Sequence, residues 1–436
     1  MTKTTGKIAI TGIGAVSPLG HDAHSTWNAL LNKESGIAKI QSFDASTLPA
    51  QIASEVKNFD VTKVIKDKKI LRYALPQTAF ALAASEEALN DAGIRPNETT
   101  GARWGLVLGS GLMTQTFDAA QKFQQRFAST GELDFHKLGL EGKEIFSAYE
   151  YGQTQTNCGL ALISKLHNIL GYSISVHTAC ASGGHALGLA LQALRRGDAD
   201  YILAGGFDSM IDPIGISGFC LLGALATDNE TPTLASRPFD LTRNGFVLGE
   251  GAGFLVLEDW DKAKSRGAKI YAELAGEGNS LSSYRITDSH PSGDGAIQAI
   301  EGALKDANQT AEHVDYINAH GTSTQMNDFS ETNAIKGVFK ERAYQIPISS
   351  TKSQTGHLIS AAGALEAVFS VLAIHTQQLP MTMNRHKPDP DCDLDYITDA
   401  PRKKSVRVAM SNSFGFGGHN SCLVFRHPEY EGVSYA

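Results

Sequence analysis

Short apolar runs rich in β-branched residues recur along the chain and alternate with longer stretches of helical spacing. The run "KIAITGI" (7–13) is apolar on both faces and reads as a buried strand. In "LPQTAFALAASEEALNDAG" (75–93) apolar residues fall three and four apart, which predicts a helix ending at Gly93, a residue suited to the C′ position. Strand-like runs follow at "WGLVLGSG" (104–111), "SISVHT" (173–178), "DYILAGG" (200–206) and "GAGFLVLED" (251–259). They continue at "KIYAELAG" (269–276), "VDYINAHG" (314–321), "IPISSTKS" (346–353), "VRVAMSNS" (406–413) and "NSCLVF" (420–425). Helical patterns between most of them predict an α/β fold with helices layered over sheets. No Pro/Ser-rich linker divides the chain. There is a faint internal echo: "TACASGGHALGLALQAL" and "TKSQTGHLISAAGALEAVFSVL" both start at Thr, carry a reactive side chain, and run into a Gly/Ala-rich helix. The echo suggests duplicated halves.

Composition narrows the function classes. The chain has 436 residues, 42% hydrophobic and 19% charged, with a formal net charge of -8. A net acidic chain is a poor general binder of nucleic acid, although a local basic patch could still dock an acidic partner. The five cysteines (Cys158, Cys180, Cys220, Cys392, Cys422) are odd in number and show no C-x-x-C spacing. Neither a disulfide framework nor a metal site is expected, and a reducing, cytoplasmic setting fits better. The N-terminal apolar run is broken by Gly12 and Gly14 and reads as a first strand rather than a leader. No apolar run is expected to approach the ~20 residues of a membrane helix.

Two motifs are set aside. "TGIGAVSPLG" offers Gly12 and Gly14 of a dinucleotide-binding turn, but Ser17 replaces the third glycine and Pro18 follows; a tight strand-to-loop turn is the better reading. "SSTK" (349–352) matches S-x-x-K but lacks the partner motifs of serine acylases. Cys180 is different. Its place in the sequence predicts a strand giving way to a helix, and a helix N-terminus favours thiolate and offers free N–H groups to an oxyanion. On that stretch alone, a nucleophile and a small packing residue are equally good readings. His320 follows the run "VDYI", and Lys352 and His357 follow "IPISS". Strand ends are where active sites gather in α/β proteins. One cysteine with two histidines suits acyl transfer followed by enolate formation, the sulfur taking the acyl group and two neutral imidazoles donating to the enolate oxygen.

These stretches resemble the β-ketoacyl-[acyl-carrier-protein] synthases. The resemblance runs nearly the whole chain, through "TACASG", "ASRPFD", "GFVLGEGAG", "YINAHGTST", "SSTKSQTGH", "AAGALEA" and "SNSFGFGGHN", in the family's order. It implies a thiolase-like α/β fold of two duplicated βαβαβαββ halves in an αβαβα sandwich, divided as residues 1–260 and 261–436. It implies the elongating Cys-His-His branch, which decarboxylates malonyl on its carrier protein, with Cys180, His320, His357 and Lys352 catalytic and Lys352 paired to Glu366. Phe414 would be the gate, its N–H completing an oxyanion hole with that of Cys180. Thr322 and Thr324 would hold the phosphopantetheine arm, and Leu112 would line the acyl pocket. No cofactor is implied beyond that arm, which the carrier brings. The chain departs from the family at "QMND" after "HGTST", at His419 and at Gln354.

Lys63, Lys66, Lys68, Lys69 and Arg72 crowd ten residues where the family docks its acidic carrier protein, which implies a docking patch. The dimer implied is either a homodimer or a heterodimer with a chain-length-factor homologue. Three other functions compete. A non-catalytic chain-length factor would lack the cysteine. A thiolase would need a second reactive cysteine, and Cys422 lies in a strand-like run. A dinucleotide oxidoreductase lacks its third glycine.

Overall fold

The computed structural model describes residues 6–431 except 112–115, 130 and 145–146. Ten strands form one twisted sheet: β1 (Ile8–Val16), β2 (Trp104–Ser110), β3 (Ser173–Val176), β4 (Tyr201–Asp208), β5 (Gly251–Asp259), β6 (Ala272–Leu281), β7 (Tyr316–Asn318), β8 (Ile348–Ser349), β9 (Val408–Phe414) and β10 (His419–Arg426). Their order across the sheet is β8-β7-β9-β10-β6-β1-β5-β4-β2-β3. Read outward from the centre, β1-β5-β4-β2-β3 and β6-β10-β9-β7-β8 are the same arrangement, each strand standing five places from its counterpart. The senses match as well. β5 is antiparallel to β1 and β4, and β2 is parallel to β4 and β3; β10, β6, β9, β7 and β8 repeat this. The halves join where β1 pairs β6 at Ile8–Leu274, Ala9–Glu273 and Ile10–Ala272. The echo in the sequence is therefore a duplicated topology.

Five helices make the layers: α1 (Pro76–Ala92), α2 (Ser182–Arg196), α3 (Asp294–Asp306), α4 (Gln325–Phe339) and α5 (Ala362–Thr376). α1 covers β1 and β5, and α3 covers β6 and β10. α2 and α5 pack on each other, α2 against β2 and β4 and α5 against β5 and β9, giving an αβαβα sandwich. α1 starts at Pro76 and stops at Gly93, whose φ of 62° is cheap only for glycine. At the central contact a Cβ on Gly183 would lie 2.6 Å from the backbone nitrogen of Ala364, so only glycine permits this approach.

Two expectations are corrected here. Gly12 and Gly14 lie inside β1 rather than in a turn, and a Cβ on either would lie 2.2 or 2.1 Å from a carbonyl of α1. They serve helix packing. The segment Ile359–Thr376 is long and apolar enough to cross a membrane, contrary to the expectation that no run approaches that length. That window is 89% buried within the protein, because it is the helix between the two half-sheets.

Candidate active site

Cys180 occupies a single 3₁₀ turn (Ala179–Ala181) between β3 and α2. Ala179 is held at φ 50°, a left-handed conformation costing roughly 1–2 kcal/mol for a residue with a Cβ. Ser182 braces this corner: its hydroxyl donates to the Ala179 carbonyl (2.7 Å) and accepts from the Thr178 N–H (2.9 Å). Cys180 lines a cavity of about 440 Å³.

His320 and His357 reach the same point from the other half. The turn after β7 is fixed by Glu331 of α4, whose carboxylate accepts from the His320 N–H and the Gly321 N–H, both at 2.8 Å, and from Asn412 Nδ2. His357 is held by main chain: its N–H donates to the Val247 carbonyl (2.7 Å) and its carbonyl accepts from the Gly249 N–H (2.9 Å). The rings meet edge to face, centroids 5.3 Å apart, with Phe414 packed on His320 and Phe246 on His357. The ligand atoms of Cys180, His320 and His357 all lie within 4.8 Å of one another.

The electrostatics are those of a buried site. Burial, helped by the positive charge of Lys352, holds both imidazoles well below the usual histidine range, so they are neutral at physiological pH. Burial also pushes the Cys180 thiol up to about 12, against the opposing pull of Lys352 and of the N–H groups of Phe416 and Cys180. This corrects the expectation of a resting thiolate: depth outweighs the helix terminus. Lys352 forms a fully buried ion pair with Glu366, as expected. Thr322 and Thr324 line the cavity, their hydroxyls 2.9 Å apart.

The surroundings of the sulfur bring in a neighbour of Phe414: the backbone N–H groups of Phe416 and of Cys180 itself interact with the Cys180 sulfur. Phe414 is the last residue of β9, in register with Asn420, and its ring is spent on His320. Phe416 stands two residues on, half-buried in the turn Phe416–Gly418, and packs in the apolar cluster that contains Cys180. Leu112 lies outside the described residues. Sequence reasoning passed over Glu331, Phe246 and Asp208. Asp208 is buried at the end of β4, accepts from the Ser360 N–H (3.0 Å), and is raised to about 6 by its burial. Glu331 had one usable signal, an acidic residue on an otherwise buried helix face.

The match to known proteins is extensive. A family model described as "Beta-ketoacyl synthase, N-terminal domain" covers residues 5–263, and its C-terminal counterpart covers 271–386. The chain belongs to the β-ketoacyl synthases. It is 41% identical to the 3-oxoacyl-[acyl-carrier-protein] synthase 2 of Coxiella burnetii over 418 residues, 96% of this chain and 98% of that one. It is 40% identical to the Synechocystis enzyme of the same name over 420 residues, again 96% and 98%. Among solved structures, a type II polyketide ketosynthase in complex with its acyl-carrier protein, bound to a hexaketide, superposes with a TM-score of 0.86 at 34% identity, covering 97% of this chain and 99% of that one. The ishigamide ketosynthase/chain length factor gives a TM-score of 0.85 at 29% identity, covering 98% and 99%.

The basic run of the synthase lies on a one-turn 3₁₀ segment (Val61–Lys63) and a short helix (Lys68–Leu71) just before α1. Lys63, Lys66, Lys68, Lys69 and Arg72 are all exposed. The Lys66 ammonium is tied to the carbonyls of Thr62 (2.7 Å) and Lys63 (3.1 Å), and the Arg72 guanidinium lies 3.6 Å from the ring centroid of Tyr149. No ion pair engages Lys63, Lys68 or Lys69 among the described residues. Cys422 is buried in β10, and among the described residues Cys180 is the only cysteine lining the cavity.

Proposed function

We propose that the chain is a decarboxylating, chain-elongating β-ketoacyl-[acyl-carrier-protein] synthase, with the acyl chain carried on Cys180. The observation that carries this reading is the convergence of one thiol and two neutral imidazoles in a cavity also lined by a threonine pair. In the first half-reaction the Cys180 sulfur attacks the thioester of an acyl carrier. The N–H groups of Cys180 and Phe416 hold the oxyanion, the new C–S bond forms as the old one breaks, and the thiol proton leaves with the pantetheine sulfur. In the second, malonyl-carrier enters with its arm along Thr322 and Thr324. Its carboxylate departs as carbon dioxide, and His320 and His357 donate to the enolate oxygen. The carbanion attacks the acyl-Cys180 carbonyl, the C–S bond breaks, and the sulfur regains a proton. Burial, helped by the charge of Lys352, keeps both imidazoles deprotonated, and Glu366 pairs with that lysine.

The carrier protein is the partner in this reading, docked at Lys63, Lys68 and Lys69. The neighbour described as a ketosynthase/chain length factor favours a same-fold partner subunit for this chain too, and mass measurement of the native assembly tests that.

Cys180→Gln separates the half-reactions. A glutamine carbonyl can occupy the oxyanion hole in place of an acyl group. The variant is expected to release carbon dioxide from malonyl-carrier while making no longer chain. His320→Ala and His357→Ala should each lose decarboxylation about 10²-fold or more, since a positioned donor is worth ~3 kcal/mol. Chain extension by Cys180→Gln, or full decarboxylation by either histidine variant, would overturn the assignment.

A further inference from the structure

We infer that Cys180, His320 and His357 together form an inhibitory binding site for a thiophilic divalent cation of the zinc type, independent of which acyl chain the enzyme handles. The sulfur and a nitrogen of each ring already lie within 4.8 Å of one another, and among the described residues no other group of three such side chains does. Tetrahedral zinc, with Zn–S about 2.3 Å and Zn–N about 2.0 Å, needs ligand atoms about 3.3–3.6 Å apart. Small side-chain rotations would supply the difference. The donor set of one thiol and two imidazoles suits zinc and not magnesium or calcium, which take oxygen.

Two further observations point the same way. The buried Nδ1 atoms of both His320 and His357 have no hydrogen-bond partner among the described residues, so no hydrogen bond there fixes the tautomer of either ring. A resident zinc centre normally has its histidines oriented by such a partner, so the lack of one marks a site that can capture a metal without being built to keep it. The cavity beyond, lined by Thr322 and Thr324, leaves a fourth position open to water. The ammonium of Lys352 opposes a cation here, and its pairing with Glu366 blunts that opposition.

No oxidation or reduction is involved. The Zn–S bond forms as the thiol proton passes to solvent, and each imidazole gives a nitrogen lone pair. A sulfur bound in this way cannot accept an acyl group, so the metal competes with acylation, and an acylated Cys180 is closed to it.

The test has two arms, on the full chain. Equilibrium dialysis against micromolar zinc chloride should load one more zinc per chain onto the wild type than onto Cys180→Ala. On wild-type protein, which needs no variant to fold, zinc should slow iodoacetamide alkylation of Cys180 ten-fold or more, read by peptide mass. EDTA should restore the rate, and magnesium should not change it. Equal zinc loading of the two proteins, or Cys180 alkylation indifferent to zinc, would overturn the inference and leave zinc on surface histidines.

Discussion

Ile359 stands in the second half of the molecule where Ala179 stands in the first: both have positive φ, 44° and 50°, at the opening of a single 3₁₀ turn. Each turn leads into a fifteen-residue helix, α2 or α5, and the two helices pack together. The strained corner is therefore built twice, but only one copy carries a thiol. The residue after Ile359 is Ser360, whose N–H donates to Asp208 (3.0 Å) and whose buried hydroxyl interacts with the same carboxylate. The duplication supplied two corners, and one has become a packing element.

Ser360→Ala tests that division. The substitution removes a hydroxyl that interacts with the Asp208 carboxylate and keeps the backbone bond to it. Losing one side-chain hydrogen bond to a charged group costs about 1.5–3 kcal/mol, so stability should fall by about that much while condensation persists. Cys180→Ala at the matching corner should abolish condensation. A large loss of activity in Ser360→Ala protein that remains folded would assign the second corner a chemical role.

The sign of the thiol shift gives a pH test. A thiol raised to about 12 is protonated throughout the working range, and its thiolate fraction grows about ten-fold per pH unit. Alkylation of Cys180 should rise without a plateau from pH 7 to 10, whereas an ordinary thiol would level off above about pH 8.5. The imidazoles are shifted down, so they are already neutral at pH 6. Decarboxylation by Cys180→Gln should then be flat between pH 6 and 8; a fall centred near 6.5 would mean ordinary histidines.

What the sequence revealed and what it hid divide along a physical line. Local information was legible. β5 is the quoted run "GAGFLVLED", residue for residue, and Gly93 caps α1 at the expected place. The residue set could be picked out because Cys180, His320 and Lys352 each follow a recognisable strand, and His357 follows the short helix that Lys352 opens. Quantities set by depth and long-range approach were hidden. Gly12 and Gly14 looked like a turn because the helix that needs them lies some seventy residues away in sequence. The acidity of Cys180 was misjudged because a helix terminus is visible in a sequence and desolvation is not. Phe414 and Phe416 are identical residues two apart, and only the end of β9 distinguishes the one facing His320 from the one facing Cys180.

That distinction makes the two phenylalanines separable by experiment. Phe414 is 6% exposed, and its truncation to Ala should cost about 3–5 kcal/mol of stability as a core cavity. Phe416 is half-buried over the sulfur, so Phe416→Ala should cost far less stability while opening access to Cys180. If the Phe416 ring, rather than Phe414, couples entry to acylation, this variant should decarboxylate malonyl-carrier without a primed chain. Carbon dioxide release measured with and without acyl-carrier decides it; tight coupling in Phe416→Ala would remove the gate.

The docking surface is tested through charge and salt together. Lys68 and Lys69 are exposed and unpaired among the described residues, whereas the Lys66 ammonium is already bound by two carbonyls. An exposed charge pair contributes roughly 0.2–1 kcal/mol, so reversing both free lysines to Glu exchanges two weak attractions for two weak repulsions. The sum is about 1–2 kcal/mol, of order ten-fold in kcat/KM for the carrier substrate at low ionic strength. Because such charges act mainly on encounter, the loss should fall on kcat/KM rather than kcat. It should also shrink as the screening length contracts from about 30 Å at 0.01 M salt to about 10 Å at 0.1 M. Lys66→Glu alone should do less than either Lys68→Glu or Lys69→Glu. A small-molecule malonyl thioester, which has no acidic protein to steer, should be used equally well by the wild type and the double variant. Unchanged kcat/KM for the carrier substrate at low salt, or an equal loss with the small thioester, would remove this face as the docking site.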